Sequence, residues 1–275
     1  MPRWHEVTGQ RASGGKGVVM EISEVFAQYL EHIFAGKRWE ARELVERTLD
    51  RGVGARKLIQ YVVWPAMEQI EALYRKGRID RLMEHIATRI NRMIADQLQA
   101  RFARGPKSGL RLVVTCGDGE MEELGAQMTG DLFEADGWSV WFLGSGVPND
   151  EVLQLLGNVK PDVLCVYGTQ PSGLANVRGL IEMIREINAW DEMQILLVNG
   201  VFKRAPGLAE EVRADLQVVS PKELLKIVRE RPVRIPKPDL PQPGRRRKRK
   251  TTKTAHASKP AKSAKRSKQT ATASS

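Results

Sequence analysis

An α/β fold, in which a four-helix bundle precedes a doubly wound parallel sheet, is predicted by three observations. Apolar residues recur at helical spacing from Met20 to about Arg104, with breaks marked by glycine. After Gly105-Pro106, short β-branched apolar runs alternate with helical stretches, five of each. A hydrophobic share of 41% in 275 residues provides a sizeable core for one or two domains.

Residues 1–19, polar and glycine-rich at Ser13-Gly14-Gly15-Lys16-Gly17, read as a disordered leader, and Met20 is an alternative start. Helices are expected over 20–35, 37–50, 54–76 and 80–104, with breaks at Gly36, Arg51-Gly52 and Gly77. Their short connections favour an antiparallel bundle, placed at 20–104. Pro65 falls inside the third helix. It removes a backbone donor and crowds the preceding turn, so a kink or break is expected near Trp64.

The α/β domain is expected over 108–230. Leu110–Cys116 reads as its first strand, and Met121 to Ala135 follows at helical spacing. Further strands are expected at Ser139–Leu143, Asp162–Tyr167, Gln194–Val198 and Leu216–Val219. Helices fill the gaps near 149–157, 173–187, 206–213 and 221–229. The last opens with Ser220-Pro221-Lys222-Glu223, a cap, an N1 proline and a capping-box glutamate. Alternating strands and helices imply a parallel sheet covered on both faces. Right-handed crossovers make it Rossmann-like or flavodoxin-like, with its ligand edge at the carboxyl ends of the strands. Residues 231–275 read as a proline-rich linker and a basic disordered tail.

The formal charge of +11 comes from 44 Lys and Arg against 33 Asp and Glu; twelve of the basic residues and no acid follow Gly244. The body is therefore close to neutral and the tail is a polycation. Arg245, Arg246, Arg247, Lys248, Arg249 and Lys250 suit nonspecific contact with nucleic-acid phosphates. No helix-turn-helix precedes the bundle, which disfavours base-specific recognition. A solubilising extension or a contact with anionic membrane are the alternatives for the tail. No apolar run approaches the roughly 18 residues of a spanning helix, and residues 1–17 lack the apolar stretch of a secretory signal. With only Cys116 and Cys165, no disulfide framework forms, and a cytoplasmic protein is expected.

The chemistry belongs in the loops after the strands. Gly117-x-Gly119-x-x-Glu122 fails the third glycine of a dinucleotide fingerprint, and Glu120, Glu122 and Glu123 crowd the place of a pyrophosphate. Acids there also simply complement a helix dipole. A nucleotide enzyme is disfavoured, and no catalytic group is assigned.

The bundle segment Tyr74-Arg75-Lys76-Gly77-Arg78-Ile79-Asp80-Arg81-Leu82-Met83-Glu84-His85 carries a resemblance. Together with the bundle-then-sheet order, it resembles the cobalamin-binding module of methionine synthase, corrinoid methyl carriers and light-sensing repressors of the MerR class. The resemblance covers about residues 22–230. The light-sensing branch has Trp, nine residues, then Glu-His, and caps the upper face of the corrin with them. Here the spacing and Glu84-His85 are kept, and Tyr74 replaces Trp, aromatic for aromatic.

Other markers depart from the family. Glu120-Met121-Glu122-Glu123-Leu124-Gly125 keeps the glycine of the Asp/Glu-x-His-x-x-Gly motif, but Glu122 stands where the resemblance implies the lower axial histidine. A carboxylate is a harder and poorer partner for cobalt than imidazole. The Ser-x-Leu motif aligns with Tyr167-Gly168-Thr169, and Tyr167 is large enough to fill the room that Ser leaves for the nucleotide tail. The Gly-Gly pair becomes Asn199-Gly200, with added bulk where the tail passes close to the backbone. Upper-face features survive while lower-face features are lost together. This implies loss of the binding mode in which the base leaves cobalt and a histidine replaces it.

The resemblance thus implies cobalamin, or a related tetrapyrrole, near Tyr74, Glu84, His85, Glu120, Glu122, Gly125, Tyr167, Thr169, Asn199 and Gly200. Each has a plainer reading: Tyr74 as core packing, His85 as a structural histidine, Glu122 as a helix-start charge. His32 has no partner at ligand spacing, no Cys/His cluster suggests zinc, and Cys116, Cys165, Trp64, Trp138 and Trp141 read as packing. A non-enzymatic sensory or regulatory corrinoid protein acting through protein partners or a homo-oligomer is expected. A ligand-free scaffold and a corrinoid methyl-carrier subunit remain open.

Overall fold

The structure, a computed structural model, describes residues 21–117, 123–198, 200–205, 207–220, 223, 224 and 226. The expected leader, Glu120, Glu122, Asn199, the proline-rich linker and the basic run Arg245–Lys250 lie outside these residues.

The helical part comprises α1 (Ile22–Phe34), α2 (Arg38–Asp50), α3 (Ala55–Leu58), α4 (Trp64–Arg75) and α5 (Arg81–Gln99). Gly36, Gly52 and Gly77, at the three expected breaks, take positive φ angles of 66°, 89° and 63°. At each, two amides close back onto the preceding helix: Gly77 N–H donates to Tyr74 O and Arg78 N–H to Leu73 O, both at 2.9 Å. This is the Schellman ending that a residue without Cβ permits.

The interruption expected at Pro65 takes a specific form. Between α3 and α4 the chain makes a π turn, Ile59–Val63, and Trp64 N–H donates five residues back to Ile59 O. Proline cannot donate and its ring crowds the carbonyl one turn earlier; one extra residue in the turn absorbs that conflict. The Asn91 amide of α5 donates to Val63 O at 3.1 Å and its oxygen accepts the Tyr29 hydroxyl at 2.8 Å. Both side chains are fully buried, so this network satisfies polar groups that water cannot reach.

Five parallel strands follow: β1 (Arg111–Cys116), β2 (Ser139–Gly144), β3 (Val163–Tyr167), β4 (Gln194–Val198) and β5 (Leu216–Val218). Their order is β2-β1-β3-β4-β5, the flavodoxin-like arrangement, with the topological switch between β1 and β3. Residues alternate between two apolar layers. Leu112, Val114, Cys116, Cys165 and Tyr167 share one core with α6 (Leu124–Ala135) and the bundle. Val113, Leu164 and Val166 pack the other face against α7 (Asn149–Val159) and α8 (Leu174–Ile187).

The helix expected over 206–213 is shorter, α10 (Leu208–Glu211), and a further short helix that was not expected, α9 (Gly200–Arg204), precedes it. Gly207, at φ 85°, turns the chain between them, so helical spacing there does not make one helix. Ser220 caps the last helical turn as its sequence implies: Glu223 N–H donates to Ser220 Oγ at 3.3 Å and Glu223 Oε2 accepts Val219 N–H at 2.9 Å.

Candidate functional site

The carboxyl end of β3 and the start of α6 face the bundle across a cavity of about 530 Å³. From α4 it receives Met67, Ile70, Glu71, Tyr74 and Arg75, essentially one stripe of a helix. From α5 it receives Arg81, Glu84, His85 and Thr88. The α/β side contributes Leu124 at the start of α6, Tyr167 at the end of β3, the loop Thr169-Gln170-Pro171, and Arg204 of α9.

The Gly77 turn brings Tyr74 and the Glu84-His85 pair to the same cavity from two helices. Asp80 starts α5 by accepting Met83 N–H at 2.7 Å, which fixes the first turn that carries Arg81, Glu84 and His85. Glu84 Oε1 accepts the Thr88 hydroxyl at 3.2 Å, and Glu84 Oε2 lies 3.9 Å from His85 Nε2. Arg81 Nε–H donates to His85 Nε2 at 3.4 Å.

Charged pairs fasten the rim. Arg204 meets Glu71 at 2.5 Å and also donates to Thr169 O, while Lys203 meets Glu68 at 2.9 Å. Just before α6, outside the cavity lining, Glu123 Oε1 accepts both the amide and the hydroxyl of Ser145 at 2.6 Å. Burial raises the Glu123 carboxyl, but the two Ser145 hydrogen bonds and the charge of Arg92 outweigh it, and its pKa falls below the ordinary value. Glu123 therefore ties the β2–α7 loop to the start of α6.

Of the residues expected at a ligand, Tyr74, Glu84, His85, Tyr167 and Thr169 line the cavity. Two are corrected. Gly125 does not face open space, because a Cβ built there would lie 2.1 Å from the Tyr167 hydroxyl. Gly200, at φ 56°, is covered by this chain's own backbone, and a Cβ there would lie 2.0 Å from Gly168 O. Both glycines serve internal packing. The sequence reading missed Met67, Ile70 and Glu71, which stepping back along the helix from Tyr74 would have found. It also missed Arg75, Arg81, Thr88, Leu124, Gln170, Pro171 and Arg204. Arg75 and Arg81 flank the quoted motif; nothing local marks Arg204, whose partner Glu71 is 133 residues away.

A cap of two helices over the ends of a parallel sheet, with an aromatic and a Glu-His pair in its roof, is a ligand-holding arrangement. Residues 25–99 match the family model of the B12 binding domain. A corrinoid protein of Desulfitobacterium hafniense (strain Y51) is 21% identical over 199 residues, 70% of this chain and 91% of that protein. The structure of the Methanosarcina barkeri monomethylamine corrinoid protein superposes with a TM-score of 0.69 at 16% identity, covering 76% of this chain and 99% of that one. These likenesses support a cobalamin-binding module, and the last of them supports its fold.

The residues present fit one part of a corrinoid and not another. Tyr74, Met67, Ile70 and Leu124 give the cavity apolar surface suited to a flat ring, with His85 and Glu84 as polar groups above it. The space between β3 and α6, where the resemblance puts the nucleotide tail, is occupied by the Tyr167 ring, 1% exposed and packed on Gly125. Among the described residues no three His, Cys, Asp or Glu side chains gather to hold a bare metal ion, and no helix is long and apolar enough to cross a membrane.

Proposed function

We propose that this protein is a corrinoid-binding sensory or regulatory module that holds the ring between α4, α5 and the strand ends without inserting the nucleotide tail. The observation that carries the reading is Tyr167 seated on Gly125, which fills the tail's place. A bound corrinoid supplies a cobalt with an exchangeable upper ligand. The chain's own residues supply the rest of the site. Tyr74 closes the roof, Glu84 is positioned by Thr88, and His85 offers Nε2 as an acceptor. Because Tyr74 and His85 flank the Gly77 turn, a change beneath the roof is passed to the α4–α5 turn, where a partner protein reads it. The Tyr74 to Glu84-His85 spacing favours this sensory branch. No catalytic step is assigned to the protein, and salt-sensitive contact of Arg245–Lys250 with nucleic acid rests on the charge run alone.

A second reading, a corrinoid carrier that passes a group between partner proteins, is favoured by the likeness to the monomethylamine corrinoid protein over 99% of its length. The two readings part at the lower face of the ring. Purified protein is titrated with adenosylcobalamin in the dark, following retention on gel filtration together with the visible spectrum. Retention with the base still on cobalt supports the sensory reading. Retention with the base displaced means that the tail is inserted and favours the carrier. No retention at about tenfold excess over protein sinks corrinoid binding.

A further inference from the structure

The turn between α4 and α5 is strongly cationic. Arg75, Lys76, Arg78 and Arg81 stand there with one acid, Asp80. Asp80 is committed to capping α5 through the Met83 amide at 2.7 Å. All four cations are exposed, and none forms an ion pair among the described residues. Two of them, Arg75 and Arg81, line the cavity.

The carboxylates inside the cavity do not answer these charges. Glu71 pairs with Arg204 at 2.5 Å; Glu84 keeps its charge but is held by the Thr88 hydroxyl at 3.2 Å, lies 3.9 Å from His85, and makes no ion pair with Arg75 or Arg81 among the described residues, so the cavity keeps an excess of positive charge. Among the described residues Arg81 has only the His85 ring nitrogen, at 3.4 Å from its Nε, which leaves most of its fork unused. Guanidinium forks match carboxylate and phosphate oxygens, and like charges at the mouth of a cleft with apolar walls focus their field into it. A ligand rimmed only by neutral amides leaves both guanidiniums without counter-charge.

We infer that the ligand of this cavity carries an anionic group, a carboxylate or a phosphodiester, received by Arg75 and Arg81 at the α4–α5 turn. The inference rests on the corrinoid reading above and adds a charge requirement to it. Two sources fit the same chemistry. A corrin whose side chains are free acids brings carboxylates, and a nucleotide tail left outside the β3–α6 channel brings one phosphodiester.

The test compares three cyano-corrinoids on the full chain at low salt: cobinamide, with neutral amides and no nucleotide; cobyrinic acid, with carboxylates and no nucleotide; and cobalamin, with amides and one phosphodiester. At least one of the two anionic ligands is expected to bind about tenfold more tightly than cobinamide. In the double variant R75Q/R81Q that advantage is expected to fall to within about twofold. Both side chains are exposed, so the substitutions leave the core intact, and the basic tail is present in both proteins and cancels from the comparison. An advantage confined to cobyrinic acid identifies the carboxylate source; one confined to cobalamin identifies the phosphodiester. Equal binding of all three, or an anionic advantage that survives in the variant, overturns the inference and leaves the corrinoid reading standing. Failure of all three to bind overturns that reading, and the inference with it.

Discussion

The Tyr167 hydroxyl lies 2.1 Å from the point that a Cβ on residue 125 would occupy, so Gly125 and Tyr167 define each other. Within a helix, Gly→Ala without a clash stabilises by at most about 1 kcal/mol, and Gly125 is the second residue of α6. Here the clash reverses the sign. Gly125→Ala is expected to destabilise by about 1–3 kcal/mol, read as a lower urea midpoint. Adding Tyr167→Ser should remove the penalty that the alanine adds. An alanine that stabilises the wild-type background would show that the two residues are not in contact.

Tyr167→Ser by itself exchanges a buried ring for a void, at a cost of about 3–5 kcal/mol. It also reopens the space behind β3. Isothermal titration should then show a preference for cobalamin over cobinamide that grows relative to wild type. An unchanged preference would place the tail elsewhere in both proteins.

The Tyr29–Asn91–Val63 network predicts a larger effect than its single amide suggests. Asn91→Leu leaves the Tyr29 hydroxyl and the Val63 carbonyl buried without this partner, and is expected to cost about 2–4 kcal/mol in chemical denaturation. Burial pushes the Tyr29 phenol well above its ordinary pKa, so it remains a proton donor and cannot escape the loss by ionising. Adding Tyr29→Phe should recover part of the cost; no recovery would mean that Asn91 acts through packing alone.

Asp131 on α6 makes stability depend on pH. Burial, then the charges of Glu134 and Asp96, push its carboxyl up to about 7. Because the folded pKa exceeds the unfolded one, the contribution of this group is most favourable below about pH 4 and is lost as pH rises through about 7. Asp131→Asn should therefore raise the Tm at pH 8 relative to wild type, with a gain that shrinks towards pH 4. A gain independent of pH would remove the assignment.

The Glu71–Arg204 pair has side chains 36% and 28% exposed, so its contribution is small. Glu71→Gln should lower stability by no more than about 1 kcal/mol. A double-mutant cycle with Arg204→Gln checks this, and a much larger coupling would mark the pair as a true clamp between α4 and α9.

What the sequence made legible was local chemistry. Gly36, Gly52 and Gly77 end helices because only a residue without Cβ takes those angles easily, and that constraint is written in one letter. The β-branched runs and the Ser220–Glu223 box are equally local. Tyr74, Glu84 and His85 share the spacing of one motif, and all three line the cavity. Where the reading fell short, the cause was long-range. The open faces of Gly125 and Gly200 are taken by Tyr167 and by the backbone of Gly168 and Thr169, which only folding brings near. Arg204 reaches the cavity from α9, a helix of five residues. Pro65 announced a disturbance, but the π turn it takes is accompanied by a contact that no local pattern marks, the Val63 carbonyl accepting the Asn91 amide of α5.

That π turn also keeps the two halves of the interrupted helix in phase. A surplus residue added to a regular α-helix would rotate all later side chains by about 100°, and the wider turn over Ile59–Val63 takes up that surplus. Met67, Ile70, Glu71 and Tyr74 therefore look into the cavity while Leu58, Ile59 and Val62 stay buried in the core. In evolutionary terms, a single-codon deletion within the turn would restore a regular helix and leave the roof of the site facing its ligand space.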